Sequence, residues 1–142
     1  MSGLSPTQRT LRHLRYEGLL SAIVEKFNPY AGKFGQRQDM FGIIDIVSLC
    51  PIRGIIGVQS CGNSFSEHWR KLTEEKADIT HEWLSCGGKL YIYSWRKVKK
   101  RRGGKQMIWQ PRIKEITLED VDCENSACIK SRIRENYNVS RG

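Results

Sequence analysis

The chain has 142 residues, a formal net charge of +9, an apolar fraction of 39% and four Trp. That predicts a single globular domain, large enough for one core, rather than a disordered chain. No apolar run approaches the ~20 residues of a membrane span, and Met1–Thr7 has neither the basic nor the apolar region of a signal peptide, so a cytoplasmic protein with no membrane contact is expected.

The first element is a helix over 6–17. Ser5 can cap it, Pro6 suits its first turn and Gln8 completes a capping box, with Gly18 as terminator. Thr7, Leu11, Leu14 and Gly18 fall on one face, and Arg9, Arg12 and Arg15 near the other. Strands are predicted over 21–27, 41–49 and 54–60, the first ended by Asn28-Pro29 and followed by a Gly-rich basic loop from Tyr30 to Gln38. Phe65, Trp69, Leu72, Ile79 and Trp83 recur at helical spacing, with a polar stretch at 71–76 where the helix can bend, and Gly87-Gly88 stops it. Lys89–Trp95 alternates as a strand, and Arg102-Gly103-Gly104-Lys105 is read as a hairpin turn into 106–116. Residues 1–116 are taken as the domain and 117–142 as a polar tail. The order α, β, β, β, α, β, β with aliphatic central strands predicts an α/β fold, a mixed sheet covered on both faces by helices.

The charge is concentrated. Arg96, Lys97, Lys99, Lys100, Arg101, Arg102 and Lys105 fall within ten residues with no acid among them, whereas residues 1–95 hold eleven Lys/Arg against nine Asp/Glu. A run of this kind is often a solvated turn, but Trp95 and Trp109 flank it, and aromatic faces beside cations suit nucleic acid. The five cysteines, Cys50, Cys61, Cys86, Cys123 and Cys128, form no CxxC pair and read as free thiols in a reducing compartment. The dispersed His13, His68 and His81 match no ligand or triad pattern.

The most informative residue is Asp45, a carboxylate between Ile44 and Ile46 in a strand-like aliphatic run. An ionised Asp in that setting is costly unless it is paired or coordinates a cation. Asp39 precedes it by six residues, and Gln59 lies on the next predicted strand; such oxygen groups can hold a divalent cation beside a phosphate.

The strings Pro6-Thr7-Gln8-Arg9, Lys26-Phe27-Asn28-Pro29, Arg37-Gln-Asp-Met-Phe-Gly-Ile-Ile-Asp45 and Val58-Gln59-Ser60, in this element order, resemble small phage and prophage proteins of the PD-(D/E)XK nuclease superfamily. The likeness spans about residues 5 to 115. A thinner one, in topology and Gly-x-x-Asp, extends to archaeal-type Holliday junction resolvases. The resemblance implies a restriction-endonuclease-like αβββαβ core, DNA as substrate, Mg2+ or Mn2+ as cofactor and, from relatives that cut junctions, a homodimer. It makes Asp45 the anchor metal ligand and the Val58 carbonyl a second one. The Glu/Asp-x-Lys half-motif falls on Gly57 and Gln59, so its acid and lysine are absent there.

Phosphodiester hydrolysis still has candidates. Asp39 and Glu25 are spare carboxylates, Gln59 can position water or ligate through its amide oxygen, and Arg37 or Lys33 can supply positive charge. Each has a plainer reading: Asp39 as a turn residue, Glu25 as a solvated strand edge, Gln59 as a partner for local backbone. Three functions compete. One is a metal-dependent DNA endonuclease acting on branched or recombination intermediates; another is a DNA-binding module on the same fold that has lost catalysis. The third is a phage structural or regulatory protein meeting an acidic partner.

Overall fold

The computed structural model of the chain describes residues 3–121. Helix α1 (Pro6–Tyr16) opens as its sequence predicts, with Ser5 Oγ accepting the Gln8 N–H at 3.2 Å. Strands β1 (Leu20–Ile23), β4 (Ile46–Cys50), β5 (Gly54–Cys61), β6 (Lys89–Lys99) and β7 (Met107–Ile116) make one sheet in the order β1-β4-β5-β6-β7. All its pairs are antiparallel except β5 with β6, which the crossover α2 (Phe65–Arg70), a π-helical turn (Lys71–Glu75) and α3 (Ala77–Ser85) makes parallel. The protein is thus α/β with a five-stranded mixed sheet and flanking helices. No helix among the described residues is long and apolar enough to cross a membrane.

Alternation along the central strands sends side chains into two cores. Leu14 of α1 packs with Ile46, Ile56, Val58, Tyr93 and Trp95 on one face. Ile43, Ile44, Cys61, Leu72, Ala77, Leu90, Ile92 and Ile116 fill the other, beneath α2 and α3. Cys50, Cys61 and Cys86 are free thiols, as expected; Cys123 and Cys128 lie outside the described residues.

Four expectations are corrected. The strand predicted over 21–27 is two strands. β1 runs beside β4, with Val24 N–H still donating to Asp45 O at 2.8 Å. Beyond that point β4 offers no partner, so the chain leaves the sheet and β2 (Lys26–Asn28) pairs with β3 (Gln36–Gln38) inside the supposed loop. The strand predicted from 41 starts at Ile46, because Met40–Ile43 is a tight turn: Phe41 and Gly42 both have positive φ (57° and 75°), and Ile43 N–H returns to Met40 O at 3.1 Å. The predicted face of α1 holds at Leu14 and Leu11, which pack on the sheet, but Thr10 is buried beside them in place of the predicted Thr7, and Trp95 is buried rather than flanking a binding patch. Finally, residues 117–121 belong to the packed body: Thr117 and Asp120 cap a short 3-10 turn (Leu118–Asp120) and Val121 is buried in the core. The rest of the expected tail, 122–142, lies outside the described residues.

Candidate metal centre and nucleic-acid surface

The turn at Met40–Ile43 builds the site. Met40 N–H donates to Ile44 O at 2.8 Å, which folds 40–44 back on itself and sets Asp39 beside Asp45. The Val24–Asp45 ladder bond brings Glu25 to the same place. Carboxylate oxygens of Glu25, Asp39 and Asp45 accordingly lie within 4.8 Å of one another. Ligands of one hard divalent ion, each at about 2.0–2.6 Å, can be no farther apart than about 5 Å, so this donor set fits such an ion.

Gln59 comes from the neighbouring strand. Its Nε2 donates to Asp45 Oδ2 at 2.8 Å and to Asp39 Oδ2 at 3.2 Å, while its buried Oε1 has no hydrogen-bond partner among the described residues. Ser60 N–H adds a second donor, to Asp45 Oδ2 at 2.8 Å. The Val58 carbonyl takes the Asp45 N–H at 2.9 Å, which commits one of its two lone pairs.

Lys71 is the residue that sequence reasoning missed. Its Nζ sits 3.2 Å from Asp39 Oδ2, carried there by the π-helical turn. It falls in the stretch read only as a polar bend; the available signal was a lysine directly preceding a buried position, Leu72. Arg37, by contrast, stands at the rim, its Nη1 3.4 Å from Glu25 Oε1, and Lys33 lies over the Phe34 ring at 5.7 Å.

Packing also restricts position 57 to a residue without a side chain. A Cβ on Gly57 would meet Ile44 Cδ1 at 2.8 Å and the Trp83 ring at 3.2 Å, so a carboxylate side chain there would collide with the core.

Electrostatics separate the two aspartates. Burial, then the hydrogen bond to Asp39, push Asp45 up to about 8 against the pull of the Ser60 N–H. Burial acts the same way on Asp39, but hydrogen bonding with Asp45 and the Lys71 ammonium outweigh it and hold Asp39 below the ordinary value. Two clefts adjoin the acids. One, of about 500 Å³, is lined by Arg37, Asp39, Gly42, Lys71 and Lys76; the other, of about 430 Å³, by Gln8, Glu25, Lys26 and Arg37.

The predicted basic residues are all exposed, though differently arranged from the expectation. Arg96, Lys97 and Lys99 lie on β6, which runs four residues farther than predicted, and Lys100, Arg101, Arg102 and Lys105 form the connection to β7. Arg9 of α1 stacks on the Trp109 ring at 4.1 Å, with Lys97 5.9 Å from the same ring, so the helix and hairpin cations form one surface. Comparison with protein families, characterised proteins and solved structures gave no match.

Proposed function

We propose that this chain is a metal-dependent DNA endonuclease with a restriction-endonuclease-like core, related to the small phage nucleases that its sequence resembles. The observation that carries this reading is the buried Asp45 held against Asp39 and Glu25, with Lys71 beside them. The element order supports this reading: with the β2–β3 ribbon set aside, α1, β1, β4, β5, the crossover helices and β6 succeed one another as the resemblance implies, and β7 is added at the edge.

Asp45, Asp39 and Glu25 would hold Mg2+ or Mn2+, with the Gln59 amide oxygen within the same group after rotation of the amide. When bound, the ion supplies polarisation of a phosphoryl oxygen and activation of water. The chain's own groups do the rest. Lys71 provides the positive charge that the half-motif lysine supplies in relatives and offsets charge developing on the phosphate. Arg37 and Lys76 line the cleft beside Asp39 and can orient the DNA backbone. Ser60 N–H holds the Asp45 carboxyl whichever way the Gln59 amide is turned, so that it need not reorganise.

One observation favours the binding module that has lost catalysis. Gln59 already bridges both aspartates, and a protonated Asp45 satisfies the cluster without any cation. Incubating the protein with branched, single-stranded and duplex DNA in Mg2+, Mn2+ or EDTA separates the two. Cleavage is expected with either metal and none with EDTA; Asp45→Asn should abolish it, and Lys71→Met should slow it about 10²-fold or more while metal binding persists. Binding without cleavage under every metal condition would establish the inactive module instead.

A further inference from the structure

The β2–β3 ribbon leaves two large rings with no part in the fold. Tyr30 is 94% exposed and Phe34 85%, both in the loop joining Asn28 to Gln36. The ribbon's own packing uses a different aromatic: the Phe27 ring lies so close over Gly35 that a Cβ there would sit 2.5 Å from Cζ. The loop is also ordered locally, with Asn28 Oδ1 accepting the Tyr30 N–H at 3.0 Å and Gly32 and Gly35 at positive φ. Two rings presented on one shaped loop offer flat faces that a planar partner can cover.

Charge says which partner. Residues 26–38 carry Lys26, Lys33 and Arg37 and no acid, and Lys33 stands by the Phe34 ring. Position says where it lies. The basal pair Lys26↔Gln38 is flanked in sequence by Glu25 and Asp39, two members of the acidic cluster. At ~3.3 Å per strand residue the ring-bearing loop begins on the order of 10 Å from that base, about the length of three stacked duplex steps at ~3.4 Å each.

We propose that this ribbon stacks Tyr30 and Phe34 on unpaired bases, so that the substrate is DNA with unstacked nucleotides a few positions from the phosphodiester at the acidic cluster. The inference deepens the nuclease reading and rests on it for the role of that cluster. Aromatic stacking is tolerant of sequence and needs a base freed from its pair, which a fork or junction offers and a continuous duplex does not.

The test compares the full chain with Tyr30→Ala/Phe34→Ala, two exposed positions whose truncation leaves the fold intact. The probes are a forked DNA carrying 2-aminopurine in the unpaired arm near the branch and a fully paired duplex of equal length, with Ca2+ replacing Mg2+ to prevent turnover. The expected result is a 2-aminopurine signal on binding of the unaltered chain, and a preference for fork over duplex that falls about tenfold or more in the double variant. Tyr30→Phe/Phe34→Tyr, which keeps both rings, should retain that preference, and duplex affinity should change little. An unchanged preference in the double variant overturns the inference, as does conversion of a dimer to a monomer on ultracentrifugation, which would assign the rings to a contact between copies. Ring-dependent fork binding by a chain that never cleaves would keep the inference and remove the nuclease reading. Cleavage without ring dependence would do the reverse, and a chain that binds neither DNA would overturn both.

Discussion

Asp45 is where pH acts on this molecule. Its folded pKa of about 8 stands above the ordinary Asp value of 3.8, so between these limits the folded chain keeps a proton that the unfolded chain has released. Stability of the metal-free protein therefore falls as pH rises through that window. Asp39 works in the opposite sense: its depressed pKa contributes stability that is present above 3.8 and lost as pH falls through the lower folded value. The metal-free chain should thus be most stable on the mildly acidic side. In EDTA, thermal unfolding should show a higher midpoint near pH ~5 than near pH ~8, and Asp45→Asn should raise the unfolding free energy at the alkaline pH by more than about 1 kcal/mol, since the amide needs no proton to remain neutral. A divalent metal that occupies the cluster should remove the alkaline loss, and its affinity should climb toward pH ~8 as Asp45 ionises.

At the scale of elements, a buried hydroxyl ties α1 to the sheet beneath the site. Thr10 Oγ1 donates to Pro6 O and accepts from Ser60 Oγ at 2.9 Å and Trp95 Nε1 at 2.8 Å, so all its capacity is used. Ser60 is also the residue whose N–H holds Asp45. Thr10→Val keeps the shape but strands two buried polar groups, and should cost about 2–4 kcal/mol in urea unfolding, where Thr10→Ser should cost less. This network explains what the apolar stripe of Leu11 and Leu14 does not include: the Trp95 indole needs an acceptor, and that requirement turns Thr10 inward beside them. Elements governed by local rules were legible: the capped start of α1, the aliphatic β5 and the alternating first half of β6. So was the meeting of Asp39, Asp45 and Gln59, from an oxygen-rich group in apolar company. What sequence concealed depends on distant partners. Phe41 gives no sign of its positive φ, the far half of β6 hides among cations, and Lys71 reaches Asp39 only because the crossover returns over the sheet.

For the whole molecule, the parallel pairing of β5 with β6 fixes how the two functional surfaces are related. β5 runs toward Gln59 and Ser60; β6 runs the same way and continues five residues past the last paired position, Ser94. The basic hairpin therefore extends about 17 Å beyond the end of the sheet that holds the acids, at ~3.4 Å per residue. We expect it to be the main electrostatic contact to DNA. Replacing Lys99, Lys100, Arg101 and Arg102 by Ser should weaken binding to all sequences alike and lower the slope of log affinity against log salt by about 0.9 for each phosphate that is no longer neutralised. An unchanged slope would move the main DNA-binding surface to Arg9, Arg12 and Arg15 of α1. Metal binding at Asp45 should be indifferent to the change.

The π-helical turn at Lys71–Glu75 also makes the site sensitive to the number of residues in its crossover. Such a turn holds one residue more than an α-helix of the same rise, so it absorbs a surplus residue while α2 and α3 keep nearly the same phase. Losing one residue from within the turn would let it close to an α-helix with its flanks nearly in register. Losing one from α3 instead would rotate what precedes it by about 100°, at 3.6 residues per turn, and swing the Lys71 ammonium off Asp39 while every acid stayed in place. Chain length is in that sense buffered at the turn and fixed in α3, and one-residue deletions should be tolerated better in the first than in the second.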